Sequence, residues 1–207
     1  LYYGAGFERN GAINFLQAGI SSADMVTTVS PTYAREIQTS EGGFGLDGLL
    51  RVRSDVVKGI VNGVDTEIWN PEKDPALPAN FSSKDMSGKA ECKKALQQYF
   101  GLPEREDVPV IAMIGRLVSQ KGIAEVIAPN YGCLWGICKS VDVQVVLLGS
   151  GEHWAEDEIN SLQEKLPNFR AKIGYNEKLS HLIEAGADFF LMPSQYEPCG
   201  LNQLYSE

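Results

Sequence analysis

Four short apolar runs, separated by stretches of helical character, set the pattern of the second half of the chain. The runs span residues 108–114, 143–148, 169–173 and 188–192. The first two are rich in Val and Ile, which is typical of parallel strands buried on both faces. The stretches between the runs predict helices over 123–139, 154–166 and 178–185. Strands and helices in this alternation predict an α/β fold around an open, doubly wound parallel sheet.

The first half of the chain has a less regular pattern. Helices are predicted over residues 11–20 and 31–37. Ser30 suits the N-cap of the second helix, and Pro31 suits its first position. Short strands are predicted over 25–29 and 59–61.

A polar region separates the two halves. Residues 70–87 are rich in Pro, Asp, Ser and Asn and predict a long surface loop. An amphipathic helix over 88–100 follows and ends at Gly101. We place a domain boundary in the charged stretch that comes next, which divides the chain into domains of residues 1–104 and 105–207.

Composition excludes several classes of partner and site. The chain has 18 Lys and Arg against 27 Asp and Glu, a net charge of −9 that repels nucleic acid backbones. No apolar run approaches the roughly 20 residues that a membrane-spanning helix needs. The four cysteines form no C-x-x-C pair and the two histidines lie far apart, so we predict no metal site. No nucleic acid and no membrane partner is expected.

The first candidate for chemistry follows the first strand of the second half. Gly115, Arg116 and Lys121 lie there in a short polar loop before a predicted helix. Ligands of doubly wound sheets bind beyond the carboxyl ends of the strands. A glycine lets the ligand approach the backbone, and the two side chains supply cations for phosphate. The pattern therefore favours a diphosphate site, and the plainer alternative is two solvated cations in a loop.

A second candidate follows the last strand. Glu197 lies in a loop before a helix that we predict to begin near Gly200. The free N–H groups and the dipole of a helix start favour a negative ligand. A carboxylate beside an anion site usually has a function, whereas a surface glutamate in a turn is the alternative.

Two glycine motifs carry weaker signals. Asn62-Gly63 is most often only a turn. Gly149-Ser150-Gly151 lacks the third glycine of a dinucleotide fingerprint, because Trp154 stands in its place. We interpret this motif as a strand-to-helix turn, which argues against a nicotinamide or flavin enzyme.

Taken together, these segments resemble the family of bacterial glycogen synthases and plant or algal starch synthases, glycosyltransferase family 5. The resemblance covers nearly the whole chain, through AINFLQAGISSADMVTTVSPTYAREIQTSEGGFGLDGLL, GIVNGVDTEIWNPEKD, SGKAECKKALQ, IGRLVSQKG, VVLLGSGE, IGYNEKLSH and EPCGLNQLYSE. It implies the GT-B type of α/β fold, in which two Rossmann-like domains face each other across the active site. The chain would be a fragment of that fold, ending in the C-terminal domain.

The resemblance also implies an activity. It implies a retaining transfer of glucose from ADP-glucose to the non-reducing end of an α-1,4-glucan such as amylose, amylopectin or glycogen. EGGFGLDGLLR and SGKAECK are more similar to soluble starch synthases, so we expect a starch synthase of a plastid, chloroplast or amyloplast. The alternatives are a bacterial-type glycogen synthase of the bacterial cytoplasm, or a catalytically incomplete glucan-binding fragment. Sucrose or trehalose-phosphate synthases and glycogen phosphorylase fit the EPCGL and NGVD segments less well.

Matching residues to the family's motifs implies three catalytic roles. Arg116 and Lys121 match the arginine and lysine that grip the donor diphosphate. Glu197 matches the glutamate near the transferred glucose. Because side-chain cations would face the diphosphate, no metal and no other cofactor is expected.

The remaining matches imply binding roles. Cys199, Gly200 and Leu201 match a loop and helix start that contact glucose or phosphate. Tyr175 matches an aromatic side chain against the adenine, and Asn62 matches an asparagine that approaches the sugar. The family's Lys-x-Gly-Gly-Leu loop and its cleft aspartate and histidine are absent from this chain. We therefore expect the chain alone to be inactive.

Overall fold

The computed structural model describes residues 6–206, which divide by their contacts into two compact units. The first unit contains the described residues up to Gly63 together with Pro198–Gly200. The second unit contains residues 64–197 and the described residues from Leu201 onward. Within residues 6–206, no helix is long and apolar enough to span a membrane.

The first unit is built from short elements around a small buried core. Its helices and strands are β1 (Glu8–Arg9), β2 (Ala12–Ile13), α1 (Phe15–Ser22), β3 (Val26–Thr28), α2 (Pro31–Glu36), α3 (Asp47–Val52) and β4 (Val57–Gly59). β3 and β4 pair in parallel. The core consists of Ile20, Ala34, Leu50 and Val57.

Two local predictions for this unit have different outcomes. Ser30 caps α2 as predicted, because its Oγ accepts hydrogen bonds from the N–H groups of Thr32 and Tyr33 at 3.1 and 3.2 Å. The predicted helix over 11–20 is wrong in its first part, where β2 pairs with β1 instead. Asn14 stops any earlier start of α1, since its side chain accepts from the N–H of Gln17 as the N-cap.

The second unit is a three-layer α/β structure. Its elements are α4 (Ser87–Phe100), β5 (Val110–Ile114), α5 (Ile123–Ile127), α6 (Cys133–Ser140), β6 (Gln144–Gly149), α7 (His153–Lys165), β7 (Phe169–Ile173), α8 (Glu177–Gly186), β8 (Phe189–Phe190) and α9 (Leu201–Tyr205). The strands form one parallel sheet in the order β7-β6-β5-β8. Helices α5, α6 and α7 pack on one face, and α4 and α8 pack on the other. The predicted α/β class and doubly wound sheet are confirmed.

Strand burial follows the sequence pattern. All six residues of β6 are buried, including Gln144, as the mainly apolar run over 143–148 predicts. The single helix predicted over 123–139 is instead two helices, α5 and α6. Pro129 explains the break, because a proline pushes the residue before it out of the helical region, and Ala128 has ψ 136°.

Helix α4 is part of the second unit. Inside the structure, Gln97 donates a hydrogen bond to the side-chain oxygen of Gln144 at 2.8 Å, and it also donates to the carbonyl of Arg105 at 3.0 Å. Both glutamines are buried. The compact units thus divide at Gly63, ahead of the boundary that the polar sequence predicts, and the assignment of 1–104 and 105–207 to family domains stays a prediction.

Replacing Gln97 by Met is expected to lower the free energy of unfolding by about 1–3 kcal/mol, because the buried Gln144 oxygen loses its donor. The measurement is the thermal unfolding midpoint of the second unit. Gln98→Met is the matched control, since the Gln98 amide donates to Glu104 at the exposed surface of the same helix. An unchanged midpoint for Gln97→Met would contradict the role given to the amide pair.

Candidate functional site

The loops that leave β5 and β6 lie side by side at the carboxyl edge of the sheet. The N–H of Leu117 donates to the carbonyl of Ser150 at 2.9 Å, and the Leu117 carbonyl accepts from the N–H of Glu152 at 2.9 Å. A Cβ atom at Gly149 would lie 2.0 Å from the Gly115 carbonyl oxygen. Gly149, the last residue of β6, therefore serves close packing against the β5 loop, which gives the turn predicted there a structural reason.

Lys121 and Glu197 form an ion pair between the loops after β5 and β8. The Lys121 Nζ lies 2.5 Å from Glu197 Oε1, and the two side chains are 24% and 18% exposed. The hydroxyl of Ser194 donates to the same carboxylate oxygen at 2.7 Å. The structure thus brings together two of the three predicted catalytic residues in a partly buried position.

Gln120 connects these two loops and the third predicted catalytic residue. Its Nε2 donates to the carbonyl of Tyr196 at 3.2 Å, and its own carbonyl accepts from the N–H of Gln195 at 3.0 Å. Its side-chain oxygen accepts from Arg116 Nη2 at 3.2 Å. The Arg116 side chain is otherwise exposed, beyond the end of β5. Sequence reasoning missed Gln120, because its partners in the β8 loop, Gln195 and Tyr196, are more than 70 residues away.

A glycine fixes the path of the β5 loop. Gly122 follows a 3-10 turn over Ser119–Lys121 and has φ 69°, in the left-handed region. A Cβ atom at this position would lie 2.1 Å from the carbonyl oxygen of Pro193 in the β8 loop. Only glycine fits both the backbone conformation and the close approach.

Helix α9 begins beside the same strand end. The Asn202 amide donates to the carbonyl of Ile114, the last residue of β5, at 2.8 Å. Gly200 comes directly before α9, is buried and has φ 83°. The predicted start of this helix is confirmed to within one residue, with Leu201 as its first residue.

The structure groups the other predicted binding residues differently. Tyr175 follows β7, the strand farthest from β8 in the sheet, and is 86% exposed. Asn62 follows β4 in the first unit and is half-buried. Cys199 and Gly200 group with the first unit by their contacts. Their roles toward a donor stay predictions.

Two of the four cysteines, Cys92 and Cys138, are buried. All four are free, and no cluster of His, Cys, Asp and Glu in residues 6–206 could hold a metal ion. Burial raises the pKa of the Cys138 thiol to about 11. Burial also raises the pKa of Cys92, whose Sγ donates to the carbonyl of Ala79 at 3.3 Å. Both side chains are therefore neutral thiols near pH 7.

Comparison with known proteins gives matches along almost the whole chain. A family model for the starch synthase catalytic domain matches residues 2–52. Glycogen synthase of Treponema denticola is 57% identical over 205 residues, which are 99% of this chain and 42% of that protein. Glycogen synthase 1 of Geobacter sulfurreducens is 51% identical over 202 residues, 97% of this chain and 39% of that protein. The chain thus spans about two fifths of the length of these relatives.

Solved structures match as well. The catalytic domain of starch synthase IV from Arabidopsis thaliana, bound to ADP and acarbose, is 39% identical with a TM-score of 0.86. That match covers 94% of this chain and 39% of the plant domain. Sucrose-phosphate synthase from Thermosynechococcus elongatus has a TM-score of 0.55 at 16% identity, which shows the fold alone, over 99% of this chain and 44% of that protein.

The fold and its solved neighbours define a glycosyltransferase of the GT-B type. Within that class, the chain belongs to the glycogen synthase and starch synthase family, glycosyltransferase family 5. The resemblance seen in the sequence motifs is confirmed.

Replacing Gly122 by Ala is expected to destabilise the second unit by about 1–3 kcal/mol, because alanine is strained at a positive φ and its Cβ meets the Pro193 carbonyl. A lower thermal midpoint measures this. Gly115→Ala is the matched control, because no atom lies within 4 Å of the Cβ it would add. Equal midpoints for the two variants would refute the packing of the β5 loop against the β8 loop.

Proposed function

We propose that this chain is part of a bacterial-type glycogen synthase, which transfers glucose from ADP-glucose to the non-reducing end of an α-1,4-glucan with retention of configuration. The observation that carries the proposal is the Lys121–Glu197 ion pair at the carboxyl edge of the sheet, where ligands of such sheets bind. The length of the relatives supports the view that further residues of the complete protein finish the active site.

The choice of glycogen over starch follows from the relatives. Glycogen synthases of bacteria reach 57% identity, whereas the plant starch synthase domain reaches 39%. The expectation of a starch synthase in a plastid is therefore less well supported than its bacterial alternative. We accordingly propose the bacterial cytoplasm as the place of action.

The donor is proposed by analogy and by charge. The plant domain holds ADP, so an adenine nucleotide is the first donor to test. Arg116 offers a planar fork of donors beyond β5, and Lys121 offers a point charge five residues later. Such cations suit the two phosphates of ADP-glucose.

Lys121 has a further use in this arrangement. A lysine ammonium has three N–H donors, and Glu197 takes one of them. The same ammonium can therefore hold Glu197 and donate to a phosphate oxygen together. Lys121 would then reduce the repulsion between the carboxylate and the donor diphosphate, which keeps a negative side chain close to the sugar.

In the proposed reaction, the charged side chains stabilise the charges that develop during glucose transfer. Cleavage of the glucose–phosphate bond builds positive charge on the anomeric carbon and negative charge on the leaving diphosphate. Arg116 and Lys121 stabilise the leaving group, and Glu197 orients glucose or stabilises the positive carbon. The acceptor hydroxyl attacks from the face that the phosphate leaves, and the leaving phosphate takes its proton. Residues outside this chain would position the acceptor, so the 207-residue chain by itself is proposed to be inactive.

Replacing Arg116 or Lys121 by Ala in the complete protein is expected to lower turnover about 10²–10³-fold, because each side chain meets charge that develops during bond cleavage. The measurement is the steady-state rate with ADP-glucose and a maltooligosaccharide. Lys165→Ala serves as the control, since Lys165 is an exposed cation on α7.

Two outcomes of this experiment contradict different parts of the proposal. Near-normal rates in both single variants would remove the diphosphate role of Arg116 and Lys121. No glucosyl transfer by the unaltered complete protein would remove the proposed activity itself.

Activity of the complete protein is expected to survive exhaustive chelation of divalent cations, because the two side-chain cations do the work of a metal ion at the diphosphate. The check is the transfer rate before and after treatment with excess EDTA, with a metal-dependent nucleotide-sugar transferase as the positive control for chelation. Loss of activity that added magnesium or manganese restores would refute this prediction.

A further inference from the structure

Three aromatic rings that take no part in the ion pair stack on one another. Trp69 lies in the segment 64–86 that precedes α4, His181 lies on α8 and Tyr205 lies on α9. The centroids of the Trp69 and His181 rings are 3.9 Å apart, and their planes differ by 10°. The centroids of the Trp69 and Tyr205 rings are also 3.9 Å apart, and their planes differ by 7°. Two rings cannot share one face at this distance, so Trp69 lies between them.

The His181 end of the stack is fixed. Asp74 Oδ2 lies 2.5 Å from His181 Nδ1, and both side chains are nearly buried, at 7% and 6% exposure. The carbonyl of Asp74 accepts from the Asn80 amide at 3.0 Å. The segment predicted as a surface loop is therefore anchored to α8 at a buried position.

Trp69 itself is held by a compact turn. The backbone N–H of Trp69 donates to the carbonyl of Asp65 at 2.9 Å. The Asp65 carboxylate in turn accepts from the backbone N–H groups of Glu67 and Ile68 at 2.9 and 3.2 Å. Both the backbone and the ring of Trp69 are thus constrained by contacts that do not involve Tyr205.

The Tyr205 end of the stack belongs to a short helix with few other anchors. α9 has five residues. Among the described residues, one side-chain hydrogen bond ties the helix itself to the rest of the unit, from the Asn202 amide to the carbonyl of Ile114. Just after the helix, the Ser206 hydroxyl donates to Glu184 at 2.6 Å. Burial raises the pKa of Glu184 to about 7. The Trp69–Tyr205 contact is therefore a main restraint on the position of α9.

We propose that Trp69 is a positioning residue for the donor site, acting through Tyr205 on α9 and on the Glu197 loop that leads into it. The inference rests on the proposed function. A helix held between the end of β5 and the Trp69 ring keeps Leu201 in a constant place. Loss of the ring frees α9 to move and loosens the donor side of the site, while Lys121 and Arg116 are unchanged.

The test is a double-mutant cycle in the complete protein with Trp69→Leu, Tyr205→Leu and the double variant. We expect each single change to lower kcat/KM for ADP-glucose about tenfold, the size of one lost aromatic contact. The double variant is expected to lose no more than either single one, because both changes break the same contact. The KM for glucan is expected to stay within about twofold, since a donor-side effect spares the acceptor.

Conservative and remote variants complete the experiment. Trp69→Phe and Tyr205→Phe keep a ring in the stack and are expected to retain most of the activity. Trp135→Leu is the remote control, because Trp135 is 46% exposed on α6. If Trp69→Leu fails to fold, Tyr205→Leu decides the question, since Tyr205 is only half-buried at the end of a short helix.

The outcomes separate this inference from the proposed function. Single variants with normal kcat/KM, or losses that multiply in the double variant, would overturn the role of Trp69 while glucosyl transfer by the unaltered protein persists. An unaltered protein without glucosyl transfer would instead overturn the proposed function.

Discussion

A lysine ammonium and a glutamate carboxylate 2.5 Å apart join the loops that leave β5 and β8, and the organisation of the candidate site depends on this contact. In a partly buried position, removing one partner leaves the other without its counter-charge, which makes the pair costly to break. The pair also permits a carboxylate to lie close to where a diphosphate is proposed to bind. Gln120 extends the connection to Arg116 and to the backbone of the β8 loop.

The parallel sheet determines where that contact forms. β5 lies between β6 and β8, so the loops after these three strands reach the same edge. Gly149 and Gly122 then set how closely the β5 loop passes its neighbours, because a Cβ at either position would meet a carbonyl oxygen at about 2 Å. Backbone packing thus places Lys121 opposite Glu197 before any side-chain preference acts.

Much of this architecture could be predicted from the sequence, and the limits have physical causes. The apolar runs of β5 and β6 predict these two strands because both faces of the sheet are covered there. Ser30 and Gly101 mark helix ends through local hydrogen bonding and backbone conformation. The break between α5 and α6 at Pro129 also has a local cause, although the helical pattern of apolar residues continues across it. Contacts made by Gln120 or Trp69 join residues far apart in the chain, and no local periodicity records them. The compact units divide at Gly63 and not in the polar stretch, because compact units follow packing whereas composition follows solvent exposure.

The central claim is that the carboxyl edge of this sheet binds the donor diphosphate through Arg116 and Lys121. A crystal structure of the complete protein with bound ADP tests it most directly. The account predicts phosphate oxygens within hydrogen-bonding distance of the Arg116 guanidinium and the Lys121 ammonium, with Glu197 still bonded to Lys121. Phosphates held elsewhere, with Lys121 and Glu197 untouched by the nucleotide, would contradict it.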